Sequence, residues 1–366
     1  MFKKIELDAP CVGTMEKEYL CKAIDSGFIS TFGPYVPEFE TKMADYLGIK
    51  SCVAVQSGTA AIYMALYQLG IGHGDEVIVP ALTFTATVNP VLYVGATPVI
   101  VDVDEMTWNI NPEKIMEAVT QKTKAIIPVH LYGNPCDMVE IMKIAGQHKL
   151  RVIEDATESL GAKVNNKDTG GFGDFGCLSF NGNKLISTGG GGMVVSNDAE
   201  QMDRIRYLIN QAKDKDKAEV HSEMGFNYRM TNIEAALGLA QMEKISAFLD
   251  KKRSFRKIYQ NALSDLPFVR FQEPHPTGTQ SHWFTCMRII GERRLLDIME
   301  KLKEKGVPVR RIFAPIGTMP YLTQYSRNCS SAVKIFNSGL CLPSSTLNAE
   351  NDIKDVASII REVLGG

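Results

Sequence analysis

Short apolar runs rich in β-branched residues alternate with helix-period stretches over the first half of the chain. The runs at 52–55, 76–79, 98–102, 125–129, 151–154, 177–180 and 192–196 predict strands. Several are apolar at nearly every position rather than at every second one, as strands are when a parallel sheet buries both their faces. Between most of them lie segments of helical spacing, such as 59–69 and 112–118. Strand and helix in alternation predict an α/β fold, a mostly parallel sheet with helices on both faces. After Thr231 the pattern changes. Ile233, Ala236, Leu237, Ala240, Ile245 and Leu249 mark one helical face through about 232–263, long enough to carry the chain out of the large domain. Beyond it, a strand-like segment at 282–289 and helices at 293–305 and 351–364 predict a smaller fold. The expected division is a large domain over 1–245, with an N-terminal arm at about 1–25, and a small C-terminal domain over 246–366.

Residues 77–101 carry no charge, a length that raises the question of a membrane span. Pro80, Pro90 and Pro98, with Gly95, interrupt it. The stretch reads as strand (77–79), helix (84–93) and strand (98–101) inside a globular domain. Composition agrees: 45% of the 366 residues are apolar and 22% charged, the balance of a globular chain. Forty basic against 42 acidic residues leave a net charge of −2. Such a chain has no cationic excess for a phosphate backbone, so nucleic acid is not an expected partner. The opening MFKKIELDAP has no apolar signal-peptide core. Eight cysteines form no C-x-x-C pair and no zinc-finger spacing with histidine. The expectation is a cytoplasmic protein with reduced thiols and no metal. Asn328-Cys329-Ser330 fits the glycosylation pattern only by chance, and the charge run at 213–217 reads as a solvated loop.

Three segments carry candidate chemistry. Ser57-Gly58-Thr59-Ala60-Ala61 follows an apolar strand and opens a helix. Glycine permits close backbone approach, and a helix start offers free N–H groups, so the segment is a phosphate cradle or simply a good helix cap. Asp155 ends the strand in Val152-Ile153-Glu154-Asp155-Ala156. At that end of an open sheet a carboxylate can pair with a protonated ring nitrogen, hold a metal, or cap a helix. Lys184 stands in Ser179-Phe180-Asn181-Gly182-Asn183-Lys184, ahead of Thr188 and the glycines at 189–192, with no other charged residue from 177 to 196. It is a solvated surface charge or, if desolvated, an amine nucleophile suited to an aldehyde cofactor. Gly171-Phe172-Gly173-Asp174-Phe175-Gly176 matches G-x-G-x-x-G in letters only. It follows a polar run and leads into an apparent strand, so a nicotinamide site is rejected.

The order of these segments resembles the DegT/StrS-type sugar aminotransferases, fold-type-I enzymes dependent on pyridoxal 5′-phosphate (PLP). The likeness runs essentially end to end. It takes in Gly27-Phe28-Ile29-Ser30, Phe39-Glu40, Ser57-Gly58-Thr59, Pro80-Ala81-Leu82-Thr83-Phe84 and Pro128-Val129-His130-Leu131-Tyr132-Gly133. It continues through Glu154-Asp155-Ala156, Ser179 with Lys184, Gly225-Phe226-Asn227-Tyr228-Arg229-Met230 and Leu340-Cys341-Leu342-Pro343. The resemblance implies a seven-stranded sheet and a role for each site residue. Lys184 is the lysine that bonds PLP, and Asp155 holds the pyridine nitrogen. Gly58, Thr59 and Ser179 hold the phosphate. Phe84 stacks on the ring, and Glu158 lies near the ring hydroxyl. Asn227 reaches the phosphate of the neighbouring subunit, which implies a homodimer.

The implied reaction moves an amino group from a donor, glutamate, to a nucleotide-linked keto-sugar. The segment around Lys184 resembles enzymes that aminate C4 of UDP-4-keto-6-deoxy-N-acetyl sugars. Alternatives are a dTDP- or GDP-keto-sugar aminated at C3 or C4, a cyclitol ketone (an inosose), and a non-catalytic regulator that keeps the fold. Sugar dehydratases of the family carry histidine where this chain has Lys184, which favours transamination. Arg310-Arg311-Ile312-Phe313-Ala314-Pro315 resembles a substrate-side segment, and Gly317 stands near a position where many members have histidine. The roles of His130, Tyr132, Arg229 and His282 are open at this stage.

Overall fold

A computed structural model describes residues 4–214 and 220–365. Seven strands build the main sheet: β1 (Ser51–Val55), β2 (Glu76–Pro80), β3 (Thr97–Val101), β4 (Thr123–Ile126), β5 (Arg151–Asp155), β6 (Phe175–Ser179) and β7 (Gly192–Ser196). Their spatial order is β1-β7-β6-β5-β4-β2-β3. Neighbours from β6 through β3 pair in parallel, while β7 runs antiparallel to both β6 and β1. Strand β1 therefore points the same way as β2 to β6, and the loops that follow β1, β2, β5 and β6 meet at one edge. Apolar clusters lie on both faces of this sheet, one built around Val53, Val79 and Ile127 and another around Ile78, Val99 and Val152. That two-sided burial is why the strands read as unbroken apolar runs.

Helices α1 (Thr14–Asp25), α2 (Tyr35–Leu47), α3 (Gly58–Gln68), α4 (Asn89–Tyr93), α5 (Pro112–Ala118), α6 (Met138–His148) and α7 (Ala199–Leu208) surround and connect these strands. Helices α8 (Asn232–Met242) and α9 (Ile245–Leu263) lead to a second sheet. Its strands β8 (Val269–Phe271), β9 (Thr285–Ile289), β10 (Arg310–Arg311) and β11 (Gly339–Leu342) lie in the order β8-β9-β11-β10, all antiparallel. Helices α10 (Leu295–Glu304), α11 (Ser330–Ser338) and α12 (Glu350–Gly365) complete that part of the chain.

Two expected helices differ. The one expected over 232–263 is split at Glu243 and Lys244, where Lys244 Nζ reaches the buried Glu16 carboxylate at 2.5 and 2.7 Å. The one expected over 84–93 is a single tight turn, Thr85–Thr87, followed by α4, which carries Pro90 in its first turn. The charge run at 213–217 falls mostly outside the described residues. Among the described residues, no helix is long and apolar enough to cross a membrane.

Candidate active site

The loops at the strand ends and the near edge of the second sheet enclose a cavity of about 380 Å³. Its walls include Gly58, Thr59, Phe84, Asp155, Glu158, Ser179 and Lys184, which are seven of the eight site residues expected from the sequence. Asn227 is exposed and lies elsewhere on its own chain.

Helix α3 begins at this cavity. Ser57 caps it: its Oγ accepts from Ala60 N–H at 3.0 Å and its carbonyl from Ala61 N–H at 3.0 Å. The N–H groups of Gly58 and Thr59 belong to the first turn, where no helical carbonyl can take them. A Cβ on Gly58 would stand 2.9 Å from Thr157 Cγ2 and 3.0 Å from Ser179 Cβ, so the approach of β5 and β6 to the helix start requires glycine.

Asp155 is the last residue of β5 and is 3% exposed. Its Oδ2 accepts from Thr87 Oγ1 at 2.6 Å, and Thr87 is itself bonded to Thr83 at 2.7 Å. Its Oδ1 accepts from Thr157 Oγ1 at 2.6 Å and from Thr157 N–H at 3.2 Å. Hydroxyls thus hold both carboxylate oxygens at the cavity wall. The uncharged stretch supplies Thr87, the Thr83 that supports it, and also Phe84, which is 56% exposed with its ring 5.5 Å from that of Phe313.

Lys184 lies in the loop after β6, with Nζ 4.0 Å from the centre of the Trp283 ring and 3.9 Å from Glu158 Oε1. Burial lowers its pKa below the usual lysine value, although Glu158 and Asp155 pull the other way. Glu158 is buried too. Burial pushes its carboxyl up to about 7, against the attraction of Lys184 and the hydrogen bond from Tyr132 N–H at 2.8 Å. Burial thus shifts both groups toward their uncharged forms, the amine downward and the carboxyl upward.

Several neighbours lay outside the sequence motifs. Trp283 donates its indole N–H to Asn183 O at 2.6 Å and so ties down the residue before Lys184. Asn183 in turn donates to Asp8 Oδ2 at 3.1 Å. Of the four residues left open, His130 bridges Glu154 Oε2 (3.1 Å) and Cys136 N–H (3.0 Å), entirely within the core. Tyr132 has positive φ and accepts from Phe313 N–H at 2.8 Å, so one side chain locks Phe313 and its backbone locks Glu158. Arg229 binds Thr31 O and Asn210 Oδ1. His282 stands beside Arg256, Arg253 and Lys252 with its pKa lowered to about 3, chiefly by burial. The glycine run at 170–173 wraps Glu154: its oxygens accept from Gly170 (2.8 Å), Phe172 (2.6 Å) and Gly173 (2.8 Å) N–H groups. Among the described residues, no cluster of His, Cys, Asp or Glu is arranged to hold a metal.

This donor set fits PLP. A helix start edged by Ser179 suits a phosphate, and a buried carboxylate suits a cationic ring nitrogen. A desolvated amine suits an aldehyde, and an exposed aromatic face suits a planar ring. The comparisons point the same way. The profile of the DegT/DnrJ/EryC1/StrS aminotransferase family matches residues 10–361. GDP-perosamine synthase from Caulobacter vibrioides is 40% identical, over 99% of this chain and 98% of its own. UDP-N-acetyl-3-dehydro-alpha-D-glucosamine 3-aminotransferase from Acidithiobacillus ferrooxidans is 37% identical, over 93% and 91%. The crystal structure of the aminotransferase TlmJ from Streptoalloteichus hindustanus superposes with a TM-score of 0.94 at 26% identity, covering 99% of each chain. Cavity chemistry, sequence likeness and fold thus converge, and the chain belongs to the DegT/DnrJ/EryC1/StrS family as a PLP-dependent sugar aminotransferase.

Proposed function

We propose that this protein transfers the amino group of glutamate to the C4 ketone of a nucleotide-linked 4-keto-6-deoxy sugar. The observation that carries the reading is the meeting of Lys184, Asp155 and the start of α3 in one cavity. PLP, when bound, supplies an electron sink that makes the proton on the amine-bearing carbon removable. Lys184 Nζ is the group that would hold the cofactor's aldehyde carbon, and its free amine would carry a proton to and from the amine-bearing carbon. Its lowered pKa leaves a larger share of the amine unprotonated for that work. Asp155 holds the ring nitrogen in its protonated form. Gly58, Thr59 and Ser179 bind the phosphate, Phe84 covers the ring, and Glu158 holds or yields a proton near the ring hydroxyl. Asn227 contributes from the second subunit of a cytoplasmic homodimer.

The nucleotide has two candidates. The segment around Lys184 favours a UDP-linked N-acetyl sugar, and the 40% identity to a GDP-perosamine synthase favours a GDP-linked one. The test follows the absorbance of the purified holoenzyme. Glutamate should move the band near ~410–430 nm to ~330 nm. A panel of UDP-, GDP- and dTDP-linked keto-sugars should then restore the first band with one nucleotide. Lys184→Ala should retain PLP without either shift. Restoration by an inosose alone would replace the nucleotide-sugar reading with a cyclitol one.

A further inference from the structure

Arg310 opens β10 and lines the same cavity as Lys184. Its guanidinium lies 4.7 Å from the Phe284 ring and 5.8 Å from Phe313. Nη1 donates to Asp8 Oδ2 at a long 3.3 Å. Nε and Nη2 are sealed from solvent, and neither has a hydrogen-bond partner among the described residues. A guanidinium does not shed its charge to relieve such a position. Buried donors left unpaired cost free energy, and more so when they are charged. Nε and Nη2 also share one edge of the planar group, and their parallel N–H bonds match the two oxygens of a carboxylate.

We propose that Arg310 receives a carboxylate of the amino donor, turning its Nε–Nη2 edge from the aromatic slot toward the cavity as the donor enters. This rests on the transamination reading above. Two features favour the donor over the nucleotide. The positive charge of Arg310 acts on both Lys184 and Glu158, so the guanidinium lies within electrostatic reach of the reacting groups. An amino acid bears a carboxylate on the very carbon that carries its amine. A nucleotide sugar bears its diphosphate on C1, across the ring from the C4 ketone.

The test uses PLP-loaded wild type, Arg310→Gln and Arg310→Lys. Calorimetry measures the affinity of glutarate, which has the donor's two carboxylates and no amine, alongside UDP and GDP. Arg310→Gln should bind glutarate about 30-fold more weakly, and Arg310→Lys, which keeps the charge and loses the fork, about 5-fold. Nucleotide affinities should stay within about twofold, the scale of a change that removes no contact. Equal glutarate affinity in wild type and both variants overturns the assignment. So does a loss confined to UDP or GDP, which would put Arg310 on the nucleotide side. Should Arg310→Gln fail to fold, Arg310→Lys carries the comparison. The two readings separate on wild type: if its cofactor band ignores glutamate, the donor reading itself fails. If the band responds and the variants bind glutarate equally, only the role of Arg310 fails.

Discussion

Glu158 shows how one buried side chain can set a pH dependence. Burial pushes its carboxyl up to about 7 from the ordinary 4.5. Between those values the folded protein holds a proton there that the unfolded chain releases. The stabilising contribution is therefore complete below 4.5 and is lost as pH rises through about 7. Glu158→Gln keeps the shape and does not titrate. In urea unfolding of the cofactor-free proteins, the variant should gain up to roughly 3 kcal/mol relative to wild type between about pH 5 and 8. A difference that stays flat over that range would mean the carboxyl is already ionised throughout. The sequence could place Glu158 three residues after Asp155, but not the group that controls it. Tyr132 donates to Glu158 across 26 residues and accepts from Phe313 across 181. Trp283 and Arg310 reach Lys184 from similarly distant segments. Such partners carry no local signal, because the fold alone brings them together. Gly317 is a further case: a Cβ there would stand 2.6 Å from Ser326 Oγ, a crowding set by a residue nine positions on.

At the scale of elements, legibility followed the burial pattern. The strands β1 to β7 were readable because both faces of the sheet are apolar, and the start of α3 because Ser57 is a strong cap. The break between α8 and α9 was not, since no glycine or proline marks it and the Lys244 at the break bonds Glu16 far away in sequence. The turn at Thr85–Thr87 was missed for a related reason: Thr87 turns inward to bond Asp155. The junction of α3 with β5 and β6 is also where an element can be tested. In Gly58→Ala the added methyl meets Thr157 and Ser179 at 2.9 and 3.0 Å and forces the helix start away from them. Overpacking of this kind costs about 1–3 kcal/mol. Fluorescence titration should show PLP affinity lowered by about tenfold or more, one step of roughly 1.4 kcal/mol. Gly182→Ala, where an added Cβ meets nothing within 4 Å, should bind PLP as wild type does. Equal affinity in the two variants would remove the helix start from the phosphate site.

Asn227 makes sense only at the scale of the whole molecule. It is exposed and lines no part of its own chain's cavity, and exposed apolar side chains flank its segment. Phe28, Ile29, Phe32 and Met224 are all exposed. Asn232 binds the carbonyls of Phe28 and Ser30, and Arg229 binds that of Thr31 while lying 4.7 Å from the Phe32 ring. Exposed apolar side chains near Asn227 are what the interface of the proposed dimer would cover. In the proposed two-fold dimer the same patch would meet its own copy, and each subunit would offer Asn227 to the other. The consequence is complementation. Lys184→Ala lacks the proposed reacting amine, and Asn227→Ala lacks the contact proposed across the interface. In a mixed dimer one site carries both defects and the other carries neither. Random reassortment makes half the dimers mixed, each with one intact site in two, so mixing should restore about a quarter of wild-type activity. The assay is run at limiting PLP, where Asn227→Ala alone is weak. Activity no greater than the sum of the separate variants would confine Asn227 to its own subunit and leave each cavity to be completed by a single chain.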